Sequence, residues 1–446
     1  MQKQETKNPD LKPQMENILL TLFSYTSDSG EAKNFESLIN NNSNVNNDKK
    51  NQNDLFKKII MDMSSSFNLS KIKNEKYQIF NKKYTKNEKD KLIYTISKII
   101  YFTYRKNFPQ IINSIGKKFT SDSGWGCMIR CGQMLLARAI YKLLKIKNIS
   151  SINSIYQSIE FFFEKPISFG KIPDNFVNMM NHFLKFWYQE HKNNIFIKEI
   201  LPPLSIKTIC SVGRICNKEV GEWFSDVNIC YIFNIINEYF HLFNDLKIFN
   251  FQSSISLNQI INNCFDKESN FFNENDYILN DKEEKLYFTY QGIVFVSIRL
   301  GIDNIPKEYY ESLKEIFSCK NCLGIIGGKN KRAYYFIGYD DKGNLLYLDP
   351  HFNKECVVDL ELKTIIKNFL VKDVYNISIK KISPAFSVGF IFRNFKEYNE
   401  FIQFIENYTQ QSFPCFGIIQ NKKRIISKYK ELKKIEKNIN NDKDDF

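Results

Sequence analysis

The chain has 446 residues, of which 43% are hydrophobic, and its formal net charge is +14. The length predicts two or three domain-sized units, and the composition supplies a large core. The lysines are spread along the chain and not gathered into one patch, which argues against a nucleic-acid partner. No stretch reaches the roughly 18 uninterrupted apolar residues of a membrane helix. Ten cysteines without compact spacing, behind a polar N-terminus, predict reduced thiols in the cytoplasm.

Residues 1–85 are predicted to form a largely disordered arm, because the Asn- and Lys-rich run Asn34–Asp54 has little to bury. Within this arm, Phe35–Leu38 combines an aromatic residue, an acidic residue and a leucine. Such a segment can dock by adding a strand to the sheet edge of a partner. A chance apolar cluster is the more common explanation, so docking stays an open alternative.

Helices are predicted for the first half of the globular domain, which is expected to span 86–415. Apolar residues at near-helical spacing predict a buried helix over Cys127–Ile146. Similar patterns predict helices over Ile152–Glu164, Asn175–Lys192 and Asp226–Phe240. The segment 241–290 is polar and Asn-rich, and we expect it to be a loop or an insertion.

Strands dominate the second half of the domain. Apolar and β-branched runs predict strands over Gly292–Leu300, Cys322–Gly328, Ala333–Tyr339, Leu345–Phe352 and Ala385–Phe392. The third and fourth runs are separated by a glycine-containing loop, which is typical of a hairpin. A helix over Lys396–Tyr408 and a charged flexible tail over 416–446 complete the chain. Helices followed by a strand cluster predict an α+β fold.

Two cysteines lie in the motif TSDSGWGCMIRCGQML, at the expected start of the first long helix. A helix N-terminus has unpaired amides and a positive dipole end, which favour a thiolate. Cys127 lies at that start, whereas Cys131 lies one turn deeper, beside the buried face. Cys127 is therefore the candidate nucleophile, and Cys131 is expected to pack in the core. A metal or redox pair is the alternative, but the sequence offers no second ligand pair.

A base is sought among four histidines. His351 closes the motif YLDPHF, two residues after Asp349. On an extended strand these side chains share a face, so that Asp349 can hold one ring nitrogen while the other faces the thiol. Pro350 between them is expected at a strand end or a sheet edge. An isolated cysteine at a helix start is usually structural, and an isolated Asp-x-His is a weak signal that is common by chance, but the combination favours an enzyme.

An anionic intermediate also requires hydrogen-bond donors. The backbone amide of Cys127 is one candidate, and a tyrosine hydroxyl is another, but the chain has 24 tyrosines and chemistry alone does not select one. Trp223 in VGEWFSD fits either a core position or a mobile lid. Cys319 and Cys322 form a single CxxC, for which loop cysteines are a better explanation than a zinc site. No metal and no cofactor are expected.

Several motifs together resemble the autophagy-related cysteine proteases, the autophagins. They are YFTYRKNFPQI, TSDSGWGCMIRCGQML, FVSIRLGIDNIPKEYYESLK, LGIIGGKNKRAYYFIGYD and LYLDPHF, which follow one another in order. The resemblance implies a papain-like core with a small inserted subdomain. It also implies a cytoplasmic thiol protease that cleaves the ubiquitin-like autophagy modifier after a glycine and releases that modifier from phosphatidylethanolamine on membranes.

The resemblance implies roles for individual residues. Cys127 matches the nucleophile, Asp349 and His351 match the other triad members, and Tyr104 in TYRKNF matches the tyrosine that stabilises the oxyanion. Trp223 resembles the tryptophan that covers the glycine of the substrate. The segment Gly327–Phe336 resembles the regulatory loop against which that tryptophan leans.

Two departures from the family pattern concern docking and gating. Asn330 stands where the regulatory loop commonly has a proline, which predicts looser gating. The C-terminal docking motif is incomplete, and Phe35–Leu38 is a substitute candidate. A non-catalytic binder of the modifier and a ubiquitin- or SUMO-type peptidase remain the alternative functions.

Overall fold

Helices and strands combine in one α+β arrangement, as the order of the elements predicts. The computed structural model describes residues 76–145, 158–159, 161–164, 167–168, 199–200, 202–240, 242–243, 245–265, 288–329, 331–357 and 367–419. Among these residues no helix is both long enough and apolar enough to cross a bilayer. The segments Phe35–Leu38 and Asn175–Lys192, and most of Ile152–Glu164, lie outside the described residues.

The described elements have the following bounds. The helices are α1 Lys89–Ile96, α2 Cys127–Lys145, α3 Ile206–Gly213, α4 Asp226–Phe240, α5 Leu257–Cys264, α6 Tyr310–Glu315 and α7 Phe395–Tyr408. The first eight strands are β1 Lys76–Ile79, β2 Lys82–Thr85, β3 Arg105–Ile112, β4 Lys118–Ser121, β5 Ile167–Ser168, β6 Glu199–Ile200, β7 Leu246–Gln252 and β8 Ser254–Ser256. The others are β9 Gln291–Arg299, β10 Cys322–Lys329, β11 Arg332–Asp340, β12 Asn344–Leu348, β13 Lys354–Glu355, β14 Tyr375–Ser378, β15 Ala385–Phe392 and β16 Gly417–Ile419.

A large sheet organises the described part of the chain. Its strands run in the order β14-β12-β11-β10-β15-β9-β7, and β1 pairs with β11 beside this path. Neighbouring strands are antiparallel except β7 and β9, which are parallel. Successive residues of β9 point to opposite faces, so that Ile293 and Phe295 enter one core while Val294 and Val296 enter the other. Both faces of the sheet are therefore covered.

The two cores are closed by different helices. On one face, α2 contributes Leu135 and α4 contributes Phe233. On the other face, α5, α6 and α7 contribute Ile260, Leu313 and Phe401. Because α2 begins with Cys127, the candidate nucleophile is held by a helix that is packed along its length against the sheet.

The predicted helices Cys127–Ile146, Asp226–Phe240 and Lys396–Tyr408 correspond to α2, α4 and α7. The predicted strands correspond to β9, β10, β11, β12 and β15, and β11 and β12 form the expected hairpin. These elements combine long apolar runs with clear turn signals, which is why the sequence predicts them.

The expectation that 241–290 is a loop or insertion is wrong for β7, which pairs in parallel with β9 from Leu246 to Gln252. The polar residues in LKIFNFQ made this segment resemble a loop. It is a strand, and its buried residues are Leu246, Ile248, Phe249 and Phe251. Helix α5 follows this strand, and 266–287 lie outside the described residues.

The expected domain limits also change at both ends. Residues 76–85 were predicted as part of the disordered arm, but they form the hairpin of β1 and β2, and β1 extends the ladder of β11. Burial of Tyr77 and Ile79 explains this order. At the other end, β16 lies inside the predicted tail and pairs with β8.

Candidate active site

The start of α2 is held by a tight turn that positions Cys127. The backbone carbonyl of Asp122 accepts hydrogen bonds from the amides of Trp125 at 3.2 Å and Gly126 at 2.8 Å. A Cβ atom on Gly126 would lie 2.6 Å from the Asp122 side chain, so this position requires glycine. Cys127 follows directly and is fully buried. The first amides of a helix have no partner within it, and Cys127 is placed at this positive end.

A buried ion cluster, formed by Asp122, Arg130 and Glu164, lies beneath this turn. Arg130 contacts both carboxylates at 2.7 Å, and the three side chains are 0–7% exposed. Burial lowers the pKa of Arg130, but the two carboxylates raise it above its ordinary value, so the guanidinium stays charged. Asp122 also accepts the backbone amide of Arg105 at 2.6 Å. The cluster therefore ties the start of α2 to β3.

Asp349 and His351 lie beyond the end of β12, which stops at Leu348. The expected extended strand is therefore wrong at these positions, although the two side chains do meet. One Asp349 carboxylate oxygen accepts the backbone amide of His351 at 3.0 Å and contacts its Nδ1 atom at 2.5 Å. A short turn closed by the aspartate side chain, and not the pleat of a strand, brings them together.

The backbone on either side of this turn is also bonded. The Tyr101 hydroxyl donates to the Asp349 carbonyl, and the amide of Tyr104 donates to the Pro350 carbonyl at 2.9 Å. Pro350 follows a strand end, as expected, but β12 lies between β11 and β14 and is not an edge strand.

The imidazole of His351 lies between two tyrosine rings. Tyr104 meets it edge-on at 5.4 Å between ring centroids, and Tyr334 meets it at 5.7 Å. Its Nε2 atom is buried and makes no hydrogen bond of standard geometry with a described residue. Burial lowers the pKa of His351, but its interactions with Asp349 and with the Cys127 side chain raise it to a net value of about 9. The side chain of Cys127 therefore lies close enough to the imidazole to affect its pKa.

Tyr104 completes this group of side chains. Its backbone carbonyl accepts the amide of Lys354 at 3.0 Å, which fixes it against the segment after His351. Its hydroxyl lies beside the Cys127 side chain and the amide of Gly124. Burial, followed by the charge of Cys127, raises the pKa of Tyr104 well above its ordinary value. The hydroxyl thus keeps its proton and remains a hydrogen-bond donor.

The other cysteines differ from Cys127 in their surroundings. Burial raises the pKa of Cys131 well above its ordinary value, and no counter-charge offsets this rise. Cys319 and Cys322 are buried and unbridged. Across the described ranges, no group of three or more histidine, cysteine and acidic side chains has a metal-binding arrangement.

Trp223 lies in the loop before α4 and is partly buried against the same core as Cys127. Gly221 in this loop has a φ of +91° and abuts the Phe119 ring, since an added Cβ would lie 2.4 Å from it. Phe119 in turn meets Trp125 at 5.9 Å. The structure thus brings Cys127, Tyr104, Asp349 and His351 together. The rings of Phe119 and Trp125 link the Trp223 loop to them.

Sequence reasoning missed several supporting residues. Tyr101 lies three residues before Tyr104, and Tyr334 lies in a strand rich in aromatic residues. Neither position has a sequence feature that indicates a contact with the site. Asp122 lies within the motif that contains Cys127, but nothing in that motif indicates that its carboxylate pairs with Arg130. Glu164 is distant in sequence, so only the fold reveals it.

Comparison with known proteins gives one family and a consistent set of relatives. The family profile described as "Peptidase C54 catalytic domain" matches residues 89–404. "Cysteine protease ATG4C" of Xenopus laevis is 28% identical over 351 residues, covering 72% of each chain. "Cysteine protease ATG4C" of Homo sapiens is 26% identical over 355 residues, covering 73% of this chain and 74% of the relative. "Cysteine protease ATG4B" of Gallus gallus is 26% identical over 374 residues, covering 78% of this chain and 83% of the relative.

Proposed function

This chain belongs to the peptidase C54 family of autophagy-related cysteine proteases, which have a papain-like fold, and we propose that it cleaves a ubiquitin-like autophagy modifier after a glycine. In the same way it releases the modifier from phosphatidylethanolamine, and it contacts autophagic membranes through that substrate. The observation that supports the proposal is that the Asp349 carboxylate contacts Nδ1 of His351, while the Cys127 side chain lies close enough to the same ring to raise its pKa.

The three side chains act as nucleophile, acid–base and orienting group. His351 takes the proton of the Cys127 thiol as the sulfur attacks the glycine carbonyl, and the C–N bond breaks as His351 gives that proton to the leaving nitrogen. A thioester remains on Cys127. Water then attacks it, His351 accepts the proton of that water, and the glycine carboxylate and the thiol are released. With a pKa of about 9, the imidazole is protonated at neutral pH and ready to act as the acid.

Asp349 fixes the ring for these steps. Its carboxylate holds Nδ1, so Nε2 is left for the sulfur and for the leaving nitrogen. The bonds from Tyr101 and Tyr104 to the neighbouring carbonyls support the same turn. This arrangement explains why the triad functions without a strand beneath it.

Tyr104 and the Cys127 amide stabilise the tetrahedral oxyanion. The Tyr104 hydroxyl is protonated and lies beside the sulfur, where the carbonyl oxygen of a bound glycine becomes negative. The amide at the start of α2 supplies the second donor.

Trp223 selects glycine by covering a narrow channel. Cys127 has no exposed surface, so a neighbouring group has to move before a carbonyl reaches the sulfur. The Trp223 loop is linked to the turn before Cys127 and is the candidate for that movement. A residue with a side chain would be excluded beneath the indole, because steric exclusion penalises every substrate larger than glycine.

The peptidase unit on this proposal spans 76–419. It extends the expected 86–415 by β1 and β2 at the start and by β16 at the end. It uses no metal and no cofactor, because the thiol supplies the nucleophile. The protein acts in the cytoplasm, where the modifier is conjugated.

The test is cleavage of a modifier precursor that carries a C-terminal tag. We expect Cys127→Ala to abolish release of the tag, whereas Cys131→Ala keeps most of it, because the Cys131 thiol stays protonated in the core. Circular dichroism of both variants serves as the folding control. Equal losses from the two substitutions, or cleavage by Cys127→Ala, would contradict the assignment. Ubiquitin and SUMO precursors with the same tag are expected to remain intact.

A further inference from the structure

The turn between β10 and β11 carries three cations, Lys329, Lys331 and Arg332, which we call the basic hairpin tip. Lys329 pairs with Arg332 across the two strands. Lys331 and Arg332 are exposed, and Lys329 is partly exposed. Lys331 has a φ of +63°, a left-handed backbone conformation that is typical of tight hairpin turns.

The basic hairpin tip is connected to the active site through Tyr334. Arg332 and Tyr334 are two residues apart on β11, so they share one face of the sheet. Burial raises the pKa of Tyr334, and the Arg332 side chain lies close enough to the hydroxyl to oppose that rise. The Tyr334 ring meets His351 at 5.7 Å. A single aromatic side chain thus separates an exposed guanidinium from the imidazole.

Further cations lie beside the tip. Lys380 and Lys381 are exposed in the short turn after β14. Ser383, two residues later, donates its backbone amide to the Gly328 carbonyl at 2.7 Å, which holds this turn against the tip. None of these lysines forms an ion pair with a described acidic residue. Within the described ranges, these lysines therefore have no acidic side chain that offsets their charge.

The two proposed substrates differ in the charge of the group that leaves with the nitrogen. His351 protonates the leaving nitrogen, so the leaving group lies on the imidazole side of the site. In the lipid conjugate that nitrogen belongs to ethanolamine, whose short carbon link ends at a phosphodiester. In the precursor the same nitrogen belongs to a peptide and has no such anion. Only the lipid conjugate therefore brings a phosphate to the imidazole side of the site.

We infer that the basic hairpin tip is a binding site for the phosphodiester of the lipid leaving group. The planar guanidinium of Arg332 presents paired donors to phosphate oxygens, and Lys331 and Lys329 add point charges beside it. This inference rests on the proposed function, since it assigns a subsite to the delipidation reaction. It predicts that the tip distinguishes the two substrates and that its effect appears in delipidation.

The experiment compares two substrates with one double variant, Lys331→Gln/Arg332→Gln. One substrate is the modifier conjugated to phosphatidylethanolamine in vesicles that otherwise contain only phosphatidylcholine. The other is the soluble precursor with a peptide tag. We expect the ratio of kcat/KM for the lipid conjugate to kcat/KM for the precursor to fall about 10- to 100-fold, as expected for lost charge-assisted hydrogen bonds.

The matched control is Lys342→Gln/Lys396→Gln, which removes the same charge from exposed positions. Lys342 lies in the turn at the other end of β11, roughly 25 Å from the tip at the rise of a strand. This variant is expected to keep the wild-type ratio. Thermal unfolding of both variants checks that the fold is retained.

The outcomes separate the inference from the proposed function. An unchanged ratio in the tip variant, or an equal fall in the control, would overturn the phosphate subsite. A fall that appears only when anionic lipid is added to the vesicles would overturn it as well, because general attraction to a charged membrane would then explain the effect. A wild-type protein that cleaves neither substrate would instead refute the proposed function.

Discussion

The two sides of the candidate active site are held by different forces. Cys127 lies on a helix whose start is fixed by the buried ion cluster of Asp122, Arg130 and Glu164, with exposure of 7% or less. His351 lies on a short turn held by backbone hydrogen bonds and two rings, and its side chain is 18% exposed. The position of Cys127 thus depends on a set of buried charges, and removal of any one leaves the others without their partner. The position of His351 depends on many weaker contacts.

The largest effect is expected on the Cys127 side. Arg130→Met leaves two buried carboxylates without their counter-charge, and we expect the free energy of unfolding to fall by about 3–5 kcal/mol. Urea denaturation measures this change. The control is Arg214→Met, because the pair of Arg214 and Glu219 is partly exposed at 3.5 Å and surface pairs contribute about 1 kcal/mol or less. Similar losses in the two variants would remove the contrast between the sides.

A second test concerns the atom between the two sides, the Tyr104 hydroxyl. Tyr104→Phe keeps the ring against His351 but removes the donor, so we expect kcat for the soluble precursor to fall about 10²- to 10³-fold. Stability is expected to stay close to that of the wild type. Tyr101→Phe is the comparison, since the Tyr101 hydroxyl bonds a backbone carbonyl and not the reacting sulfur. A larger loss of kcat from Tyr101→Phe than from Tyr104→Phe would contradict the assignment of Tyr104 as the oxyanion donor.

The His351 side is tested by pH. Because the pKa of His351 is raised from 6.5 to about 9, the imidazolium persists in the folded protein above neutral pH. We expect kcat/KM to decline as the pH rises through about 9. Stability that the imidazolium contributes is fully present below pH 6.5 and is lost over the same rise.

Asp349→Asn sharpens this pH test. It removes a contact that raises the pKa of His351, so the alkaline limb is expected to move to lower pH. The rate at the optimum is expected to fall about 10²-fold, as for the loss of an orienting group in acid–base catalysis. A limb that stays at the wild-type position would show that another group causes it.

The smallest effect is expected from a single ring contact. Tyr334→Leu removes one of the two rings beside His351. The interaction between two aromatic rings is worth about 0.5–1.5 kcal/mol. We therefore expect kcat/KM for the precursor to fall about 2- to 10-fold. Tyr347→Leu is the control, because Tyr347 packs on Tyr334 at 4.5 Å between ring centroids and lies one contact further from the imidazole. Equal effects would mean that the aromatic group acts as a whole.

The sequence predicted the elements in which one physical signal dominates. The apolar spacing of α2 and the aliphatic runs of β9, β10 and β15 were sufficient for those elements. Strand β7 was missed because its lysine, asparagine and glutamine resemble a loop composition. The hairpin of β1 and β2 was missed because its short, lysine-rich strands become ordered only through the pairing of β1 with β11.

The sequence named the members of the proposed site but did not predict how the structure brings them together. The pairing of Asp349 with His351 was expected on a strand, yet a side-chain-closed turn produces it. The contacts of Arg130 with Asp122 and Glu164 join residues from separate segments, and no local pattern encodes such a cluster. Local signals therefore identify reactive groups more readily than the groups that support them.

Strand β11 carries Tyr334 at one end and receives β1 at the other, where Tyr77 pairs with Asp340 and Ile79 with Gly338. A truncation at residue 86, where the composition changes, would strip this ladder and leave apolar edge positions open to self-association. A minimal catalytic fragment should therefore begin ahead of Lys76. A partner that pulls on the residues before β1 would transmit force through β1 to β11, the strand whose Tyr334 contacts the imidazole.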